Sequence, residues 1–167
     1  GVSKMRFTGG EPLLRKDLPE LIQFANDTDG VESIHLTTNG LLLDKHIKKL
    51  EDTGLTGINI SLDSLNPEKF KKITRRDSLD LVLNGLKKAI QSYIPSIKVN
   101  VVAMRDFNND ELLDFVQLTK ENCITVRFIE LMPFDSHQIW KTGKFYGADQ
   151  IVSDLKNQFG DLIPVEG

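Results

Sequence analysis

The chain of 167 residues contains one cysteine, Cys123. A lone thiol excludes an internal disulfide framework, and by itself it cannot make a zinc or iron–sulfur site, each of which needs several ligands. No apolar run approaches the ~18 residues of a membrane span, and no charged-then-apolar leader precedes the first strand-like segment. The net charge is -3, which argues against nucleic acid as the general partner; attraction for an anionic ligand must come from a few placed cations. The only histidines are His35, His46 and His137. None sits in a nucleophile motif, so no catalytic triad is expected, and His46, in a lysine-rich helical stretch, reads as solvated.

What is present is ordinary for one globular domain: 40% hydrophobic and 27% charged residues, with no repeat and no long linker. Short apolar segments at Lys4 to Thr8, Ser33 to Thr38, Gly57 to Asp63, Ile97 to Met104 and Thr125 to Leu131 read as strands. Helical patterns alternate with them. Leu79, Val82, Leu83, Leu86, Ala89 and Ile90 share one helical face, as do Ile151, Val152, Leu155 and Phe159. Asp17 with Glu20 fits a capping box, Asn66 before Pro67 starts a short helix, and Asp44, Ser78 and Asn109 are candidate N-caps. Gly54 and Gly160 read as helix stops. Strand starts recur roughly every 25 to 40 residues, the length of a βα unit, so the sheet is expected to be parallel.

Strand parity chooses between architectures. Met5, Phe7, Ile34, Leu36, Ile58, Ile60, Leu62, Ile97, Val99 and Val101 lie on one face; Arg6, Thr8, His35, Thr37, Asn59, Ser61, Asp63, Lys98 and Asn100 lie on the other. A doubly wound sheet is covered by helices on both faces, and a closed barrel fills its interior with branched apolar side chains. One polar face fits neither. It fits a wide or partial, TIM-like (β/α) barrel of about five parallel βα units, whose concave side is a ligand cavity. Arg6, Lys98 and Arg127 give that cavity a positive lining, and the natural ligand carries phosphate.

Unusual residues cluster at the C-terminal strand ends, where barrel active sites are built. Thr8-Gly9-Gly10-Glu11-Pro12 lets backbone approach a ligand and places a carboxylate that can accept from an ammonium group; it reads equally well as a tight βα turn. It lacks the GK[ST] ending of a P-loop. Thr37-Thr38-Asn39-Gly40 offers hydroxyl and amide groups, or simply an Asn-Gly turn. Ser61 and Asp63 point to the cavity. Lys98 in mid-strand is costly without an anionic partner or a reactive role, unless its strand is an edge strand that lets the side chain reach solvent. Phe134 and Trp140 read as loop packing residues.

Taken in order, Lys4-Met5-Arg6-Phe7-Thr8-Gly9-Gly10-Glu11-Pro12-Leu13, Asn59-Ile60-Ser61-Leu62-Asp63-Ser64, Lys98-Val99-Asn100 and Val126-Arg127-Phe128-Ile129-Glu130-Leu131-Met132-Pro133-Phe134 resemble the MoaA family of radical S-adenosylmethionine GTP cyclases. The resemblance covers nearly the whole chain. It implies S-adenosylmethionine and two [4Fe-4S] clusters as cofactors, a 5'-deoxyadenosyl radical, and rearrangement of GTP in molybdenum cofactor synthesis. It places Gly9, Gly10, Glu11, Ser61 and Met132 at S-adenosylmethionine, with Glu11 on the methionyl ammonium. It places Lys4, Arg6, Thr8, Thr37 and Lys98 at GTP, and gives Lys98 and Arg127 catalytic candidacy. It further implies an electron donor, a next-step cyclic pterin-forming enzyme, a homodimer, and a cytoplasmic or, in a eukaryote, mitochondrial matrix location.

The family's cysteine motifs are missing from these residues, and no metal ligand is assigned. Residues 1–167 are therefore expected to be one domain, the central part of a partial barrel without its first βα unit or C-terminal cluster region, inactive and marginally stable alone. Cys123 is expected to be structural. Two other readings fit the polar cavity: an aldolase-like barrel with Lys98 as Schiff base, and a degenerate homologue that only binds nucleotide.

Overall fold

The computed structural model describes residues 1–132 and 143–165. Five strands, β1 (Lys4–Phe7), β2 (Ser33–Thr38), β3 (Gly57–Ser61), β4 (Ser96–Ala103) and β5 (Thr125–Glu130), form one parallel sheet in the order β1-β2-β3-β4-β5. Six helices connect or follow them: α1 (Leu18–Asn26), α2 (Leu43–Glu51), α3 (Pro67–Thr74), α4 (Leu79–Ile90), α5 (Leu112–Glu121) and α6 (Ala148–Phe159). Each strand pairs with its sequence neighbour. With crossovers of one hand, such an order puts the helices on a single side, as in an opened barrel.

The core confirms which side. Leu36, Ile58 and Ile97 are in register across β2, β3 and β4, and Ile60 with Val99 forms the next layer. These side chains are fully or almost fully buried with Leu18 and Ile22 of α1, Leu43, Ile47 and Leu50 of α2, Val82, Leu86 and Ala89 of α4, and Phe115 of α5. The period-two pattern of the strands and the three-to-four spacing of the helices therefore meet in one apolar layer. Ala103, Leu112, Tyr146 and Ile151 form a smaller cluster that seats α6, while Val152 and Phe159, expected on the same face, stay largely exposed. β4 lies inside the sheet, so Lys98 is not an edge-strand lysine.

Local punctuation is mixed. Asn66 caps α3 as expected, its Oδ1 accepting from the Glu68 and Lys69 amides at 3.0 and 3.2 Å. Gly160 ends α6 with φ +80°, whereas Gly54, at the same φ, comes after α2 has already stopped at Glu51. Asp17 occupies the N-cap of α1 but makes no capping bond, because Arg15 takes its carboxylate at 3.0 and 2.7 Å. Asp44 lies within α2 and pairs with Lys88 of α4. Ser78 holds the N-cap position of α4 without a side-chain bond. Asn109 is inside a short 3-10 turn, and its neighbour Asn108 is the structural residue: Met104 N donates to its Oδ1 at 2.7 Å, and its Nδ2 donates to Asp63 O and Val102 O. Cys123 is exposed, so the expected structural role is corrected.

No helix among the described residues is long and apolar enough to cross a membrane. Pro133, Phe134, His137 and Trp140 lie outside the described residues.

Candidate active site

The uncovered face of the sheet carries the polar residues in register. Arg6, His35, Gly57 and Ser96 make one row across β1 to β4; Thr37, Asn59, Lys98 and Thr125 make the next; Ser61, Asn100 and Arg127 make a third. Lys4 precedes the first row, beside Ser33. Lys4, Arg6, Lys98 and Arg127 all disfavour protonation of His35, so four cations share its electrostatic environment. None of the ion pairs among the described residues involves any of the four.

A cation cluster with no carboxylate paired to it among the described residues costs folding energy and favours an anion. Burial first, and then Arg6, hold the Arg127 guanidinium below its ordinary range. Arg127 Nη2 donates to Asn59 Oδ1, and Asn59 Nδ2 donates in turn to Leu36 O at 3.3 Å, so the guanidinium is oriented by a buried amide. Its Nε is buried without a partner among the described residues, as are Thr37 Oγ1 and Asn100 Oδ1 on the same face. Unpaired buried polar atoms are rare and expensive, and three on one concave surface mark a place where a ligand or water supplies the missing bonds.

At the C-terminal rim, Gly9 adopts φ +132°, which a side chain would resist, and a Cβ at Gly9 or Gly10 would meet nothing within 4 Å. The loop is therefore open to a ligand. Glu11 ties this loop to the one after β2: its Oε1 accepts from Leu13 N at 3.1 Å and Thr38 Oγ1 at 2.7 Å, and its Oε2 accepts from Asn39 N at 2.8 Å. Thr38 is thereby a linker, and Thr37 is the residue that faces the cavity. Ser61 is exposed at the end of β3 and lines a small cavity of about 230 Å³ with Asn39, Leu41, Phe70, Thr74 and Arg76. Met132 is 58% exposed beyond β5, and Thr8 is exposed beyond β1.

Three contributors were not assigned a role by motif. Asn59 and His35 lie on the polar parity, which places them, but their partners come from other strands. Glu111 is nearly fully buried and supports the loop after β3: it accepts from Ser64 Oγ at 2.9 Å, Leu65 N at 2.6 Å and Asn66 N at 3.1 Å, and pairs with Lys69 at 3.2 Å.

Asp63 continues the β3–β4 ladder through its side chain, accepting from Val102 N at 2.8 Å. Burial raises its pKa despite that bond. A raised carboxylate pKa adds stability below the unfolded value and loses it as pH rises through the folded value. Asp63→Asn keeps the Val102 bond and removes the titration. In urea melts, the variant should gain on the wild type as pH rises from the ordinary carboxylate range; a constant difference would contradict this.

A parallel partial barrel with a glycine-rich loop at its rim and a cation-lined concave face offers a site for an anionic ligand. The Radical SAM superfamily model matches residues 1–119, and the chain belongs to that superfamily. It is 47% identical over 167 residues to a GTP 3',8-cyclase of Chlorobaculum tepidum, covering 100% of this chain and 51% of that protein. It is 44% identical over 161 residues to the molybdenum cofactor biosynthesis protein moc-5 of Caenorhabditis elegans, covering 96% of this chain and 26% of that protein. The chain thus spans about half the length, or less, of these relatives. A solved structure of TYW1 with a lysine-pyruvate adduct bound superposes with a TM-score of 0.68 over 93% of this chain and 50% of that one; at 21% identity, the likeness concerns the fold.

Proposed function

We propose that the protein carrying this chain is a GTP 3',8-cyclase of molybdenum cofactor synthesis, and that the concave face described above is its GTP site. The observation that carries the proposal is the cluster of Lys4, Arg6, Lys98 and Arg127 with unpaired Thr37 Oγ1 and Arg127 Nε, in a chain aligned along its whole length with such a cyclase.

In this reading Lys4, Arg6, Lys98 and Arg127 neutralise the triphosphate, while Thr37 and Thr8 supply hydroxyl contacts. Lys98 and Arg127, deeper in the sheet than Lys4, are the candidates for holding charge that develops on the substrate. Gly9 and Gly10 offer open backbone to the methionyl end of S-adenosylmethionine. Glu11 takes its ammonium with the acceptor capacity left after its loop bonds, and Ser61 and Met132 flank the nucleoside end. When bound, S-adenosylmethionine supplies a 5'-deoxyadenosyl radical. The protein's own residues orient GTP toward that site and keep its phosphates charged and fixed.

An iron–sulfur cluster does not fit the residues present. The chain holds one cysteine, which is exposed, and no group of three metal-ligating side chains occurs among the described residues. In this reading the two clusters of the proposed cyclase take their cysteine ligands from outside these residues, and an electron donor that reduces them belongs to the same reading. A pterin-forming enzyme that takes the product, a homodimer, and a cytoplasmic or mitochondrial matrix location belong to the same proposal. Its test is formation of 5'-deoxyadenosine by the reconstituted full-length protein under reducing, anaerobic conditions. The rate should depend on GTP, and deuterium carried on the ribose carbon that loses its hydrogen should appear in 5'-deoxyadenosine; a rate indifferent to GTP would sink the assignment.

A further inference from the structure

Among the described residues, His35 is the titratable group inside the cation cluster that the proposed reaction does not use. It is 8% exposed on β2, in register with Arg6 on β1 and Gly57 on β3. The missing side chain of Gly57 makes its room: a Cβ there would stand 2.5 Å from His35 Nδ1. The ring is fixed at its other end, where Nε2 shares a hydrogen bond of 2.8 Å with Ser33 Oγ, itself 3.4 Å from Thr56 Oγ1.

The charged groups facing it come from three elements: Lys4 and Arg6 on β1, Lys98 on β4 and Arg127 on β5. β3 contributes Gly57, Asn59 and Ser61 to these rows, all uncharged, and no carboxylate among the described residues acts on the ring. Burial, and then the four cations, hold the imidazole below its ordinary range, which disfavours the imidazolium while the face is empty.

We propose that His35 is a proton-coupled contact of the polyphosphate site, taking up one proton from solvent when a triphosphate occupies the face and then serving as a fifth cation. The inference rests on the GTP-site reading given above. The chemistry is a proton transfer alone: no bond to phosphorus forms, and nothing is oxidised or reduced. The bound polyanion offsets the cations that suppress protonation, and an imidazolium donates from both ring nitrogens. Because the complex holds the extra proton, affinity is greatest below the free-state pKa and is lost as pH rises through the bound-state pKa. For each pH unit between the two values, the affinity attributable to His35 changes by about tenfold.

The test is calorimetric titration of the full-length protein with inorganic tripolyphosphate near neutral pH, in buffers of low and high ionisation enthalpy, for wild type and His35→Gln. The wild type should take up a larger fraction of a proton per ligand than the variant, and its affinity should fall more steeply with pH. Equal proton uptake in both, with binding retained, overturns the coupling and leaves the site reading standing. Absence of tripolyphosphate binding in the wild type overturns both. Nitrogen chemical shifts of the histidines give a second readout that needs no folded variant: His35 should move toward the imidazolium pattern on adding tripolyphosphate, and an unchanged neutral signal at saturation overturns the proposal.

Discussion

Lys98→Met is expected to lower GTP-dependent turnover of the full-length protein on the order of a hundredfold without lowering its melting temperature. Lys98 sits on an interior strand, half-buried, between Asn59 and Thr125 in register. It has no ion-pair partner among the described residues and shares its face with Lys4, Arg6 and Arg127. A charge so placed contributes to ligand binding at the expense of the free fold. Methionine keeps much of the stem packing and removes the repulsion. Steady-state rates with thermal melts separate the two effects: retained turnover, or a loss of activity matched by a loss of stability, would contradict the assigned role.

Glu111→Ala is expected to cost about 3 to 5 kcal/mol of stability, the largest effect of a single side chain away from the apolar core. Glu111 takes hydrogen bonds from Ser64 Oγ, Leu65 N and Asn66 N, and removing it strands these part-buried donors. Lys69 loses less, because it keeps Asp110 at 2.6 Å in partial contact with solvent. Glu111→Gln should recover only part of the loss, since its amide nitrogen would point a donor at donors. Urea denaturation reports both variants; a loss near zero for alanine would mean that water replaces the carboxylate fully. The loop held by Glu111 begins just past Ser61 and Asp63, so the same carboxylate fixes one wall of the candidate active site.

Strand parity was readable in the sequence because a residue-by-residue alternation fixes the face once the strand is recognised. Thr37, Asn59 and Lys98 indeed share one row, and Ser61, Asn100 and Arg127 the next. Local signals failed where a distant residue competed. Asp44 looked like a cap but pairs with Lys88, 44 positions on, by the difference of their numbers. Glu111 bonds Ser64 across 47 residues, and no periodicity foretells such a bond. Glu11 was expected to meet a ligand ammonium, but its bonds to Thr38 and Asn39 appear only when β1 and β2 lie side by side. His35 was placed on the polar face by parity alone; its significance needed Gly57 beneath it and the four cations that disfavour its protonation.

Equilibrium binding of GTP and guanosine to the full-length protein, wild type against an Arg6→Ala/Lys98→Ala double variant, is the most direct measurement of whether this face is a nucleoside triphosphate site. GTP should bind the wild type far more tightly than guanosine, and the double variant should lose GTP affinity on the order of a hundredfold while guanosine binding changes little. Equal GTP affinity in wild type and double variant would contradict the site.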